Sequence, residues 1–398
     1  MSEHRPEVAD VIRSDGAKFL KRYRPSREQY RVLNDLAKCR TAALGGHLKQ
    51  CEECAREIPV YNSCRNRHCP KCQGAARAAW LEAREGEVLD VEYFHVVFTV
   101  PHELAPLALQ NRRAVYGMLF RAASETLLTL GRDPKRLGAE LGCLALLHTW
   151  GQNLHLHPHL HCVIPGGGLS FDAERWVSCR DGFFLPVRIL SRLFRGKFIA
   201  QLQHAFHHDK LEFHGRLQDL RHPKAWEGWL ETLRNKNWVV YAKPPFGGPR
   251  QVLKYLARYT HRVAIANRRL LSTDDGKVTF RRKDYANGNR QRIMTLDAVE
   301  FLRRFLLHVL PKGFMRVRYY GFLANRHRAD KLERIRFLLG QQPLCVGSGP
   351  PAIQPGEDPA EHELLDNSQL CPHCEKGRLR VVAPLPVKPL PSWSFDSS

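Results

Sequence analysis

Histidines stand at alternate positions along one short stretch, His155, His157, His159 and His161, just before Val163, Ile164 and the glycines 166–168. In an extended strand alternate side chains share a face, with Cα atoms roughly 6.6–6.8 Å apart, so neighbouring imidazoles can converge on one cation. Imidazole ligates when neutral, and its ordinary pKa near 6.5 permits that around pH 7. A histidine-rich surface strand is the plainer reading, but four in register before an apolar run favour a site. Further along, Tyr255 and Tyr259 are spaced i, i+4 in a segment with helical periodicity after Pro249, which puts both phenols on one helix face. Such pairs most often pack half-buried. Here they are set among Lys254, Arg258, His261 and Arg262. A cation held by imidazoles, a pair of phenols and a basic surface together suit phosphodiester cleavage through a covalent phosphotyrosine. Tyrosine has an ordinary pKa near 10 and needs help to attack, which a divalent ion polarising the phosphate supplies.

Cysteines form the second chemical signal. The pairs Cys51/Cys54 and Cys69/Cys72, with fourteen residues between them, have the spacing of a zinc ribbon or knuckle. They are expected to close one tetrahedral thiolate site. Cys39, His47, Cys64 and His68 remain over and could form a second, Cys₂His₂ site. Cys371-Pro-His-Cys374 offers half a site, with Cys345 or His362 as candidates to complete it. Cys143, Cys162 and Cys179 are isolated and read as small packed residues.

The 398 residues carry 62 Lys and Arg against 40 Asp and Glu, a formal charge of +22. Between Arg250 and Arg336 there are 22 basic residues and 7 acidic ones, so much of the excess is concentrated there. That block, including Arg281 and Arg282, is the footprint expected of a surface that meets phosphate backbones. No apolar run approaches the roughly 18 residues of a membrane span, and the polar N-terminus lacks a signal-peptide core. A cytoplasmic protein without a membrane partner is expected, and clustered cysteines in a reducing compartment read as metal ligands.

Around these residues the periodicities predict helices within 7–38, broken near Arg24-Pro25-Ser26, and a further helix at 74–87. A β-branched and aromatic strand is expected at 91–99, a helix at 111–130, and strands over 141–147 and 156–164. Helical stretches at 187–206 and 226–233 and a short strand at 238–241 follow. A hairpin or three-stranded meander spans 263–296, and Asp297 caps a helix at 298–309. The expected partition is N-terminal helices and zinc domain at 1–88, a nuclease core at 89–340, and a proline-rich, disordered tail with the CPHC motif at 341–398.

The strings HPHLHCVIPGG (157–167), CRTAALGGH (39–47), YNSCRNRHCPKC (61–72), YFHVVFT (93–99), KYLARYTHR (254–262) and HVLPKGFMRVRYYGFLA (308–324) resemble the transposases of the IS91 family, close to the insertion-sequence common-region elements. His159-Leu160-His161 resembles the His-hydrophobic-His motif of HUH endonucleases. The resemblance runs through most of the chain and implies an α+β architecture. That comprises an HUH-type nuclease core with a central antiparallel sheet flanked by helices, plus a small N-terminal zinc-binding domain. It implies nicking and rejoining of single-stranded transposon ends through a 5′-phosphotyrosine, as rolling-circle-type transposition, at the nucleoid. His159 and His161 then become ligands of a catalytic Mg²⁺ or Mn²⁺, and Tyr255 and Tyr259 the nucleophiles. A third ligand is expected from a neighbouring strand, with His148 first and Gln152 or His157 next. Zn²⁺ is expected in the structural sites. Lys254, Arg258, Arg262, Arg281 and Arg282 would bind DNA, with Tyr285, Tyr319 and Tyr320 as base-stacking candidates or core residues. The alternatives are a rolling-circle replication initiator or relaxase using the same tyrosines, and a non-catalytic zinc-dependent DNA-binding protein derived from a transposase.

Overall fold

The computed structural model describes residues 5–73, 87–182, 184–243, 252, 263–284, 288, 290–341 and 370–389. The helix expected at 74–87 falls almost wholly outside them, as does the segment after Pro249 apart from Val252. Two compact units divide the chain. One gathers Met1–Ala76, Ile265–Val309 and Val346–Ser398; the other gathers Arg77–Ala264 and Leu310–Cys345. This differs from the expected division at 88 and 340. The hairpin and helix at 265–309 join the N-terminal segment, and so does part of the tail, because strand pairing and helix packing link segments distant in sequence.

In the first unit, helices Val8–Arg22 and Arg27–Lys38 flank the expected break. Pro25 disfavours helix for the residue before it, and Ser26 restarts one. The Ser26 hydroxyl accepts from the Gln29 N–H while the Gln29 amide oxygen accepts from the Ser26 N–H, a reciprocal cap. Val8, Val11, Ile12 and Phe19 are buried on the first helix, and Phe301, Leu302 and Phe305 on helix Ala298–Leu306, which contacts it. Asp297 caps that third helix, accepting from the Val299 N–H at 2.9 Å. The Gln29 side chain donates to the Leu306 carbonyl at 2.8 Å, tying the segments together. Strands Lys277–Asp284 and Arg290–Asp297 form an antiparallel hairpin, to which Leu270–Ser272 adds a third strand. Val278 and Phe280 are buried, whereas Arg281 and its cross-strand partner Ile293 are exposed. A second small sheet has the order Leu379–Leu385, Gly46–Cys51, Glu57–Tyr61.

The second unit is built on a seven-stranded sheet in which every pairing is antiparallel. Its order is Trp176–Ser178, Gly167–Leu169, Glu140–Trp150, Leu156–Pro165, Tyr93–Thr99, Val240–Lys243, with Val317–Gly321 also pairing with Glu140–Trp150. Strand alternation sends Phe94, Val96, Phe98, Leu147, Leu160, Cys162 and Ile164 to one face. There they are buried in one cluster with Leu119, Phe120 and Leu127 of helix Arg112–Arg132, Phe194, Phe198 and Leu202 of helix Val187–His207, and Trp226 of helix Pro223–Arg234. Each fully buried Leu or Phe there contributes roughly 1.5–3 kcal/mol, so this face anchors the sheet. The other face is left to different residues. Tyr93, Leu144, Leu146, Val163 and Val252 form a smaller buried cluster on it, with Val317 and Tyr319 packed alongside. No helix among the described residues is long and apolar enough to cross a membrane.

Candidate functional site

The histidines stand on that second face. His148 lies directly across from His159, and Leu146 from His161, so the three imidazoles point the same way from two neighbouring strands. One ring nitrogen from each of His148, His159 and His161 lies within 4.8 Å of the others, close enough for small rotations to bring all three to one ion. His148 is 2% exposed and His161 9%, while His159 is half-buried and opens the group to solvent. The other two histidines of the run do not join. The register slips between His148 and Trp150, so Trp150 pairs with Leu156 and His155 falls outside the strand. His155 turns instead to Asn153, 3.1 Å away, and His157 is exposed. Of the four expected to converge on one cation, two thus join His148 in the cluster. Gln152 sits in the turn between the two strands.

Hydrogen bonds set the tautomers. His159 Nδ1 is 2.7 Å from the His157 carbonyl oxygen, which can only accept, so Nδ1 carries the hydrogen and Nε2 presents its lone pair. His161 Nδ1 is 2.9 Å from Nε2 of His95 on the adjacent strand, with the two rings parallel. When Nδ1 of His161 donates there, its Nε2 carries the lone pair that could ligate. Burial, and secondarily the charges of Lys243 and His159, pushes the His95 pKa down to about 3, so His95 stays neutral and, in the tautomer with hydrogen on Nδ1, can accept at Nε2. Trp150 stacks on His148 with centroids 4.6 Å apart, fixing that ring from the turn side. Sequence reasoning missed His95. The signal was there in YFHVVFT, where His95 has the parity of Tyr93 rather than of Phe94.

The thiols form two separate groups. Cys39, Cys64, Cys69 and Cys72 come together, with Sγ–Sγ separations of 3.5 Å for Cys39–Cys72 and Cys39–Cys69 and 3.6 Å for Cys64–Cys72. Cys51 and Cys54 meet Cys371 and Cys374 instead, at 3.6 Å for Cys51–Cys374 and 3.8 Å for Cys54–Cys371. With Zn–S bonds near 2.3 Å, ligands of a tetrahedral site stand roughly 3.8 Å apart, so both groups fit zinc in number, softness and spacing. The expected single site of Cys51, Cys54, Cys69 and Cys72 is thus split between two groups. His47 and His68 belong to neither, although both were candidates for the second site. Cys39 is delivered by the C-terminal end of helix Arg27–Lys38, a position that spacing in sequence could not pair.

Residues 11–100 match the family described as "Transposase zinc-binding domain", and residues 142–331 match the family described as "Putative transposase". The chain is 52% identical over 385 residues to the "Putative transposase y4qJ" of Sinorhizobium fredii (strain NBRC 101917 / NGR234), covering 96% of each chain. It is 28% identical over 313 residues to the "Transposase for insertion sequence element IS801" of Pseudomonas savastanoi pv. phaseolicola, covering 75% of this chain and 70% of that one. The chain belongs to the IS91-family transposases. No solved structure gives a significant match.

The transposase thus joins a zinc-binding domain, whose thiol clusters suit structural zinc, to an antiparallel α+β unit. Tyr255, Tyr259, Lys254, Arg258, Arg262 and Tyr285 lie outside the described residues. Arg281 and Arg282 stand on the hairpin of the zinc-bearing unit rather than on the sheet unit. Tyr319 faces the histidine side of the sheet, with the Arg328 guanidinium 4.9 Å from its ring centre. Tyr320 points to the opposite face and packs on the main core, where burial raises its pKa. Cys345 and His362 lie outside the described residues, so the partners offered for the CPHC motif are replaced by Cys51 and Cys54.

Proposed function

We propose that this transposase nicks and rejoins single-stranded DNA at the ends of its element by tyrosine transesterification, with His148, His159 and His161 holding the catalytic Mg²⁺ or Mn²⁺. Three imidazoles converging on one face of a rigid sheet carry the reading. Val252 supports it: this residue is fully buried against Leu144, Leu146 and Val163 on that same face, and Tyr255 follows three residues later.

In the proposed reaction a phenol oxygen of Tyr255 or Tyr259 attacks the scissile phosphorus. The P–O3′ bond breaks, the 3′-oxygen leaves and takes up a proton as a 3′-hydroxyl, and the 5′-phosphate stays on the tyrosine. Attack by a 3′-hydroxyl on the phosphotyrosine reverses the step without ATP, and two tyrosines allow two transfers in succession. A bound divalent cation would polarise the phosphate and offset charge on the transferring group. His95 orients His161, and the His157 carbonyl orients His159. An all-imidazole set favours Mn²⁺ over Mg²⁺, which prefers oxygen ligands.

DNA contact is assigned in part to the hairpin. Arg281, Arg282, Lys283, Arg290 and Arg292 line its two strands against two acidic residues, Asp284, which pairs with Arg292 at 3.1 Å, and Asp297, which caps the following helix. A two-stranded ribbon of this kind fits a DNA groove, and its phosphate contacts would make affinity fall steeply with salt. The protein would then act at the nucleoid.

A labelled single-stranded oligonucleotide carrying an element end tests the reading. With Mn²⁺ the wild type should cut it and leave a 3′-hydroxyl. The His159→Ala/His161→Ala variant should lose at least about a thousandfold in rate with zinc content unchanged. Undiminished cutting by that variant would remove the histidines from the mechanism.

A further inference from the structure

The Cys51, Cys54, Cys371 and Cys374 group lies partly beyond the matched zinc-binding domain, which ends at residue 100. Its two halves are 317 residues apart in sequence, counted from Cys54 to Cys371. They are nevertheless built alike. In each, a Cys-x-x-Cys turn is followed by a non-glycine residue in the left-handed region, Ala55 at φ 54° and Glu375 at φ 56°. In each, the N–H of that residue donates to the carbonyl of the first cysteine, Ala55 to Cys51 at 3.0 Å and Glu375 to Cys371 at 2.8 Å. The first cysteine's own N–H closes the turn, Cys51 to the Arg56 carbonyl at 3.0 Å and Cys371 to the Gly377 carbonyl at 2.7 Å. Backbone N–H groups also point at sulfur: Cys54 N–H towards Cys51 Sγ at 3.5 Å, and Gly377 N–H towards Cys374 Sγ at 3.4 Å. Such donors stabilise thiolates, the form that binds metal.

Apolar packing alone is a poor reason for these turns to meet. The buried cluster around them consists of Cys51, Cys371 and Leu379, with only Ile58 and Cys374 packed against it. Val60, Val381 and Val382 on the adjoining strands are each about two-fifths exposed. A sheet with so little buried area needs another source of stability, and a closed metal site is one. Even glycine is required here: a Cβ on Gly377 would lie 2.4 Å from Cys51 Sγ.

We infer that this transposase carries a second tetrathiolate zinc site, Cys51–Cys54–Cys371–Cys374, which clasps its C-terminal segment onto the N-terminal zinc-binding domain. The clasp orders strand Leu379–Leu385 along Gly46–Cys51. It differs from the first site in access. Cys54 is exposed and Cys374 half-buried, whereas in the first site Cys64 is half-buried and Cys39, Cys69 and Cys72 are buried, so the clasp gives up its metal first. This inference is independent of the catalytic proposal, because it concerns neither the histidines nor the tyrosines.

Zinc per full-length chain, measured after removal of loosely held metal, tests it. The wild type should retain two zinc ions. A mercurial thiol reagent should release them in two phases, the faster accompanied by loss of hydrogen-exchange protection in residues 379–385. The Cys371→Ser/Cys374→Ser variant should retain one ion and keep protection in helices Val8–Arg22 and Arg27–Lys38. One zinc per wild-type chain, or two in that variant, would overturn the inference. Cobalt substitution gives a check on unmutated protein: the sulfur-to-metal charge-transfer band should rise linearly to two equivalents, and saturation at one would also overturn it.

Discussion

The two regions of this molecule whose side chains could hold metal reverse the relation between fold and ligand. On the sheet unit, a broad apolar core sits behind the strands, and the histidines are presented on a face already made rigid by that core. In the small sheet of the zinc-bearing unit there is little buried area, and the thiols themselves occupy the interior. The fold holds the imidazoles, but the thiols hold the fold. This difference decides what each site can be for. A site whose removal unfolds its surroundings is structural, whereas one whose removal leaves the scaffold standing is free to bind and release an ion as chemistry requires.

The largest effect should come from stripping the thiols. Structural zinc contributes about 10–16 kcal/mol of apparent binding energy in small modules, so Cys39→Ser/Cys69→Ser should abolish hydrogen-exchange protection across helix Arg27–Lys38. Protection in strands Glu140–Trp150 and Leu156–Pro165 should be unchanged. Equal loss in both regions would erase the contrast.

His95→Phe probes the sheet side more gently. It keeps an aromatic ring beside His161 but removes its hydrogen-bond partner, so nicking should fall about 10–100-fold and the Mn²⁺ concentration for half-maximal rate should rise. Unaltered metal dependence would show that His95 only packs.

Acid offers a third comparison. The His95 pKa is about 3 in the fold against 6.5 for an ordinary histidine. Its folded value is depressed, so between those limits the unfolded chain binds the extra proton. Stability of the sheet unit is therefore full above pH 6.5 and falls on acidification at up to about 1.4 kcal/mol per pH unit. Urea midpoints at pH 7 and pH 5 should differ less in His95→Phe than in the wild type, and equal slopes would assign the acid sensitivity elsewhere.

The smallest effect is expected at Glu300. Hydrogen bonds from Arg303 and then Arg304 hold its carboxyl down at about 2, near the start of helix Ala298–Leu306. That support is present above about pH 4.5 and is lost as pH falls through 2. Glu300→Gln should lower stability at pH 7 by about 1 kcal/mol or less, since the ion pair is partly exposed. A measured loss near zero at pH 7 with an unchanged acid limb would make the pair ornamental.

Much of the sheet side was legible in the sequence because its signals are local. The β-branched and aromatic content of YFHVVFT and the alternation around His159 and His161 gave strands, and Asp297 gave a cap that the structure contains. The hidden parts are those set by distance. Two Cys-x-x-Cys turns look equally able to pair with each other or with other thiols, and only the strand pairing of Leu379–Leu385 with Gly46–Cys51 selects Cys371 and Cys374 for Cys51 and Cys54. The register slip near Trp150, which removes His155, likewise depends on the hairpin closing and leaves no mark in the period-two pattern. His95 escaped notice because a single histidine in an apolar strand reads as core until its neighbour across the sheet is known.

The central claim is that the histidine face serves a tyrosine nucleophile, and covalent capture tests it most directly. Protein incubated with single-stranded element-end DNA and Mn²⁺, then digested with nuclease and protease, should yield a nucleotide-bearing peptide that contains Tyr255 or Tyr259. That peptide should be absent from the Tyr255→Phe/Tyr259→Phe and His159→Ala/His161→Ala variants. An adduct of wild-type yield in the double Phe variant, or one mapped to another residue, would contradict the account.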